Sequence, residues 1–324
     1  MLLAPIVSQL TPSKQTEGKK APVETFKITD IPTVMDGLGW SQGARLMRKW
    51  FNNPAYEMPA AVKVGNVSPS TLSGQQLLTD LPFEWLFSSS RRIQDRVESL
   101  VSDLQEVREF NGLIGRTKSP LTQLSNGLVV FMNRLKRIGH LDENSCTLHN
   151  ASEDFSGLSA IQLEETSQFN LIRIGATLWE KATDDLDDVY GALGSFVIKV
   201  AATKFRTYAS DHGFPAIEIE EIGLYVRDTY DFLNIDGDQL LGYWNRPGVI
   251  RPGPIEAISS PEHIDRSGSR YFKVTNGAFN KYRQLKNKGG DFLVFSTVKL
   301  YPVSISVHLS KPDFKEFTNR KQGY

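Results

Sequence analysis

The chain has almost no cysteine. Cys146 stands alone among 324 residues, so no intrachain disulfide can staple the fold. Histidine is scarce too, with five scattered residues and no Cys/His spacing of the zinc kind. There is no G-x-S-x-G elbow, no Walker A loop and no H-E-x-x-H helix, which weakens the serine hydrolase, nucleotide hydrolase and zinc enzyme readings together. Net charge is absent, with Lys+Arg and Asp+Glu at 37 each. Phosphate-binding surfaces usually leave a basic excess, so nucleic acid is not the expected partner. No run approaches the roughly 18 apolar residues that a membrane-spanning helix needs, and none is expected. The opening Met1-Leu2-Leu3-Ala4-Pro5-Ile6-Val7 has no basic start and is broken by proline, unlike a cleaved secretory leader.

What is present suffices for a packed core, with 40% hydrophobic and 10% aromatic residues. Residues 1–25 carry Pro5, Pro12 and Pro22 among polar residues and read as a flexible arm, with order expected from Phe26. Residues 26–165 read as a helical domain. Trp40, Ala44, Met47, Trp50 and Phe51 share one face of a helix that stops before Pro54. Ile93, Val97, Leu100, Val101, Leu104 and Val107 form the stripe of a longer helix from Arg92 to about Phe110. A third, Leu128 to Ile138, ends in Arg134, Lys136 and Arg137, cations that suit a helix C-terminus. Such stripes can also meet a membrane or a partner, but a core face is the plainer expectation.

Residues 166–312 read as an α+β domain with an antiparallel sheet, and residues 313–324 as a fraying polar tail. Leu171–Trp179 and Asp184–Leu193 are expected to be short helices, Phe196–Ala201 a strand, and 248–268 a long Pro/Gly/Ser-rich loop. Asp291–Val298 and Val303–Leu309 read as strands joined near Tyr301-Pro302. Ile217 and Ile219 alternate with glutamates, whereas Ile222, Leu224 and Val226 alternate on the opposite parity. The doublet Glu220-Glu221 is therefore expected to be a β-bulge, and Asp228 and Tyr230 should share the face of Leu224 and Val226.

Chemistry concentrates at the end of that strand, in Asp228-Thr229-Tyr230-Asp231-Phe232. Two neighbouring carboxylates can split their proton affinities into an acid and a base, or hold a hard cation. A capped turn with a satisfied tyrosine is the bland alternative. Asn234-Ile235-Asp236-Gly237-Asp238 has a calcium-loop flavour but misses the EF-hand register, and a tight Asp-Gly turn explains it better. The acidic run Asp184–Asp188 could hold magnesium or simply open a helix capped by Thr183. Cys146 and His149 lie three apart in a polar loop with no residue nearby to orient the imidazole.

From Leu193-Gly194-Ser195-Phe196-Val197 through Asp228-Thr229-Tyr230-Asp231-Phe232 to Tyr282-Arg283, Lys288-Gly289-Gly290 and Asp291–Phe295, the chain resembles the catalytic domain of colicin M. That bacteriocin cleaves lipid II, the lipid-linked precursor of peptidoglycan. The resemblance covers roughly residues 165–310. It implies a C-terminal half-barrel of colicin M type, with Asp228, Tyr230, Asp231 and Arg246 as catalytic residues. Arg283, Asn234 and Tyr243 would bind substrate, and Mg2+ would be the cofactor. The bacteriocin motif runs on to a His-Arg pair. Here Arg246 would replace the arginine, and no histidine lies beside it: His212 precedes the strand and His263 follows 17 residues later.

The whole chain also resembles an uncharacterised bacterial domain family linked to type VI secretion. That resemblance rests on Gly39–Phe51, Tyr225–Phe232, Leu241–Asn245 and Gly289–Ser296. It implies an antibacterial effector made in the cytoplasm, loaded on a secretion spike or adaptor and acting in a target periplasm, with a cognate immunity protein in the producer. A non-enzymatic secretion adaptor using a toxin-like fold is the rival expectation. Membrane disruption by the helical half is disfavoured by the balanced charge.

Overall fold

A computed structural model describes residues 26–107, 109–111, 121–175, 187–209, 215–233, 237–252 and 254–320. The expected arm, residues 1–25, lies outside them. In chain order the first elements are α1 (Ile31–Gly37), α2 (Ser41–Asn52), α3 (Ala60–Lys63), β1 (Leu77–Leu81), α4 (Phe83–Ser89), α5 (Arg91–Glu106), β2 (Glu109–Asn111) and α6 (Leu121–Arg137). They are followed by β3 (Leu141–Asp142), β4 (Thr147–Leu148), β5 (Ala151–Asp154), α7 (Ala160–Thr166), β6 (Gln168–Ile174) and α8 (Asp188–Leu193). Two long strands come next, β7 (Phe196–Tyr208) and β8 (Ala216–Tyr230). After them are β9 (Leu240–Asn245), β10 (Gly248–Ile250), α9 (Pro254–Ser259), β11 (His263–Arg266), β12 (Ser269–Thr275) and α10 (Asn276–Lys286). β13 (Phe292–Ser296), β14 (Lys299–His308) and α11 (Lys311–Arg320) close the chain. The fold is α+β, with a curled, mostly antiparallel main sheet.

β7 pairs with β8 from Ala216 to Arg227 at the centre of that sheet, leaving the last residues of β8 beyond it. On the outer edge of β7, β6 and β5 lie end to end. On the outer edge of β8, β13 meets the end that carries Asp228 and β14 meets the start. β1 and β2 add parallel edges to β13 and β14. Strands from before and after residue 165 therefore share one sheet, and one core runs from Ile31 to Phe317. A second sheet, ordered β10-β9-β12-β11, stands beside it.

The expected bulge is present. Glu221 faces Lys204 and Pro302 while Ile219 faces Phe205 and Ile305, so Glu220 has no partner on either side. Parity switches there, as the alternation requires. Beyond the bulge, Leu224, Val226 and Tyr230 join the main core. Tyr225 faces the other way, with Leu293 and Phe295, onto Met58, Val62 and Leu163. Both faces are covered, so this half of the strand reads as a continuous apolar run.

The three helices expected in the first half form, although α5 ends at Glu106 and the chain near Phe110 becomes β2. Five expectations need correction. Gln168–Ile174 is a strand rather than a helix, because Ile172 and Ile174 are β-branched and the free edge of β7 pairs them; residues 176–179 are outside the description. The second expected helix starts only at Asp188. Residues 248–268 are not a loop but hold β10, α9 and β11, short strands whose Gly and Pro neighbours mask them. Pro302 sits inside β14, at the slip opposite the bulge, where Gln105 Nε2 donates to its carbonyl at 2.9 Å. The expected frayed tail is helical over 311–320 and buries Phe314 and Phe317, spaced i, i+3.

Candidate functional site

β8 delivers Asp228 and Tyr230 to the core-facing side, and Asp231 follows as the strand ends. All three line a cavity of about 320 Å³. α2 supplies Met47, with Trp40 just ahead of it. The end of α8 supplies backbone at Gly191 and Gly194. β9 supplies Trp244, and α10 supplies Phe279. Trp40 meets Trp244 edge-on at 6.2 Å, and Phe232 stacks on Phe279 at 3.7 Å. A side chain at Gly191 would put its Cβ 2.7 Å from the Trp40 ring, so only glycine lets α8 lie this close. Asp188 ties the same two elements together, accepting from Gly43 N at 2.7 Å, Gln42 N at 3.1 Å and Trp85 Nε1 at 3.0 Å.

The two carboxylates stand in different environments. Asp228 is half-buried, and its solvent contact opens into the cavity. Among the described residues no Lys, Arg or His lies within ion-pair distance of it. Burial pushes its carboxyl well above the usual carboxylate range, nearby Asp231 pushes the same way, and a bond from Thr229 N–H opposes both. Asp231 is paired with Lys63 Nζ at 2.5 Å. Lys63 ends α3, whose last carbonyls, on Val62 and Lys63, each accept from Arg227 at 3.0 Å. The Tyr230 hydroxyl is buried against Met47 Sδ at 3.6 Å, and burial pushes its pKa up.

Across Phe232 and Leu233 lies a second cleft of about 340 Å³, lined by Lys63, Arg283, Asn280, Glu57 and Asp291. Arg283 is committed there. Its Nε donates to Gly289 O at 2.8 Å and its terminal nitrogen to Asp291, and its guanidinium lies over the Trp50 ring. Asp291 is 1% exposed and also accepts from Trp50 Nε1 at 3.1 Å and Met58 N at 3.0 Å.

Of the residues expected at the site, the fold thus brings together Asp228, Tyr230 and Asp231 and sets Arg283 in the adjoining cleft. Arg246 and Tyr243 lie elsewhere. Arg246 is exposed at the turn between β9 and β10, and Tyr243 is fully buried in a small core with Ile264 and Tyr271, its hydroxyl donating to Pro261 O at 2.9 Å. Both belong to the second sheet, whose facing strand alternation could not disclose. Asn234 and His212 lie outside the described residues, and His263 is exposed on β11. β8 and β9 lie in different sheets, and of the Asp-Gly stretch between them residues 234–236 lie outside the description; Asp238 accepts from Gly277 N at 2.6 Å. Of the acidic run, Asp187 caps α8 through Tyr190 N at 2.7 Å and Asp188 clamps α2, while Asp184–Leu186 lie outside the description. Cys146 and His149 do not pair: the thiol faces Glu143 O and the imidazole Gly139 O. Lys63 and the aromatic walls escaped the motif reading, although Trp40, Trp244 and Phe232 lie in the segments that carry the whole-chain resemblance.

Among the described residues no group of three or more His, Cys, Asp or Glu is placed to hold a metal, and no helix is long and apolar enough to cross a membrane. No curated protein and no solved structure matches the chain. A family model does match over residues 26–310, and the chain belongs to that family, DUF6402, a family of unknown function.

Proposed function

We propose that the cavity at the end of β8 is the active site of a hydrolase acting on a lipid-linked phosphate of the lipid II kind, and that the chain is an antibacterial effector acting in a target periplasm. The observation that carries this reading is a pair of unequal carboxylates on one aromatic-walled cavity, Asp228 without a counter-cation among the described residues and Asp231 held by Lys63. In such a pair the buried member keeps its proton and serves as the acid, and the charged member serves as the base. Asp231 takes a proton from the attacking water as its oxygen bonds to phosphorus. The P–O bond to the leaving group breaks, and Asp228 protonates the departing oxygen. The aromatic walls suit the lipid end of such a substrate, and Lys63 and Arg283 put positive charge on the neighbouring cleft, where phosphates would lie. Tyr230 shapes the cavity floor. Arg246 and Tyr243 have no part in this version of the site.

Magnesium keeps several waters and binds through one or two carboxylates together with substrate phosphates. In a metal-assisted version of the reaction, an alternative to the one in which Asp228 keeps its proton, the ionised Asp228 and Asp231 would hold an Mg2+ ion that arrives with the phosphate, and the ion would neutralise phosphate charge. The colicin M relationship remains part of the proposal and rests on the Asp228–Phe232 motif. A secretion spike or adaptor would carry the effector out, and a cognate immunity protein would guard the producer.

A non-enzymatic secretion adaptor is the second reading, and one observation favours it. Both cations near the carboxylates are already committed, Lys63 to Asp231 and Arg283 to Asp291. Expression in a bacterium, directed to the periplasm or kept in the cytosol, separates the two. The hydrolase reading expects lysis only on periplasmic delivery, with loss of intact lipid II, and both effects abolished by Asp228→Asn or Asp231→Ala in a folded protein. Absence of toxicity in both compartments would overturn it in favour of the adaptor.

A further inference from the structure

The face of the main sheet opposite the cavity carries a polar cluster that the proposed reaction does not use. At its centre is Glu164 on α7, 7% exposed. Its Oε2 accepts from the Tyr225 hydroxyl at 2.7 Å, and its Oε1 faces Lys199 Nζ at 3.6 Å and Arg227 Nε at 3.5 Å. Arg134 reaches the same cluster from the last turn of α6. Arg137 stands near Arg134, and Glu165 lies further out, bonded to the Ser68 and Ser70 hydroxyls. Four cations therefore surround two carboxylates, a local excess in a chain whose charges balance overall.

We propose that Arg134 and Lys199, backed by the charge of Arg227, bind a phosphate-type oxyanion beside Glu164. Three observations lead there. Arg134 is half-buried yet makes no hydrogen bond or ion pair among the described residues, and its Nε is buried without a partner there. Buried guanidinium nitrogens are satisfied in almost every folded protein, so an orphan of this kind marks a missing acceptor. Among the described residues Lys199 has only the 3.6 Å approach to Glu164 as an ion pair, longer than a hydrogen bond, although its side chain is 16% exposed. Arg227 spends its terminal nitrogens on the carbonyls of Val62 and Lys63, which leaves its Nε facing Glu164 without a hydrogen bond. The cluster's surplus of two positive charges matches a phosphate dianion better than a carboxylate, and guanidinium and ammonium donors are the usual partners of phosphate oxygens. Burial, with Arg227 and Arg134 nearby, already pulls the Lys199 ammonium below its ordinary value, a repulsion that a bound dianion would relieve.

Inorganic phosphate and a phosphate headgroup on a lipid share this chemistry, and two arms distinguish them. In the first, inorganic phosphate is titrated calorimetrically into the full chain, with chloride replaced to hold ionic strength constant. In the second, the chain is co-sedimented with vesicles containing phosphatidic acid. The expected result is saturable binding in at least one arm, weakened roughly tenfold by Arg134→Gln and by Lys199→Gln, the scale of one charge-assisted hydrogen bond. Arg134→Lys should restore part of it. Saturable phosphate binding names free phosphate as the source, and vesicle binding alone names the headgroup. Among the described residues Arg134 has no bonding partner to lose, so its variants should fold, and unchanged far- and near-ultraviolet circular dichroism would verify this. Failure of both arms with the wild-type chain, or binding indifferent to Arg134→Gln, would overturn the proposal.

Discussion

Asp228, half-buried on β8, and Asp291, buried just ahead of the adjoining β13, are built in opposite ways. Asp291, just ahead of β13, has Trp50, Met58 and Arg283 as donors and is sealed from solvent. Asp228 pairs in register with Val294, faces a cavity and has no ion-paired cation among the described residues. Burial pushes both carboxyls up; at Asp291 three bonded partners pull the other way, and at Asp228 one backbone N–H does, helped by the charge of Arg227. A saturated acid is a joint: it ties α2, the segment before α3 and α10 to the sheet. An unsaturated acid beside open space is available for chemistry.

The largest break in this contrast should come from Asp291→Ala. It strands Arg283, whose side chain is 11% exposed, without its carboxylate, and loss of about 3–5 kcal/mol is expected in urea unfolding. A loss near zero would mean that Asp291 is no joint. Next is Gly289→Ala. Gly289 has φ +96°, and a Cβ there would lie 2.4 Å from the Trp50 ring, so about 1–3 kcal/mol of overpacking is expected, read as a lower melting temperature. Lys63→Met should cost about 1–2 kcal/mol by leaving Asp231 without its partner, and should reduce activity more than stability if Asp231 is the base.

Asp228→Asn has the smallest expected effect and the most telling sign. A carboxyl whose folded pKa is raised contributes stability below its ordinary 3.8, and loses it as pH rises toward the folded value. The variant should therefore gain on the wild type as unfolding is measured at about pH 4, 6 and 8. A difference that stays flat would show that the charged carboxylate is not desolvated, and the contrast with Asp291 would lapse.

Much of the site was legible because it lies on one strand. Alternation across Ile217–Val226 located the bulge and hence the shared facing of Asp228 and Tyr230. The partners of these residues were not legible, since they come from far away in the chain. Lys63 reaches Asp231 through α3, and Trp50 reaches Asp291 across 241 positions. Arg246 and Tyr243, close to the motif in sequence, are carried away because the chain changes sheets after Phe232.

The sequence by itself determined the local, periodic features: the α2 stripe ending before Pro54, the body of α5, the cationic end of α6, the bulge, and the apolar strands at the C-terminal end. Each follows from side-chain spacing on a helix or strand, which needs no knowledge of neighbours. Only the tertiary structure decided that residues 168–174 pair as an edge strand, that 248–266 builds a second sheet, and that Phe314 and Phe317 dock a final helix. It alone decided which carboxylate receives a cation. Those outcomes depend on which distant surfaces remain to be covered and which buried charges remain to be paired, and both quantities exist only once the chain has folded.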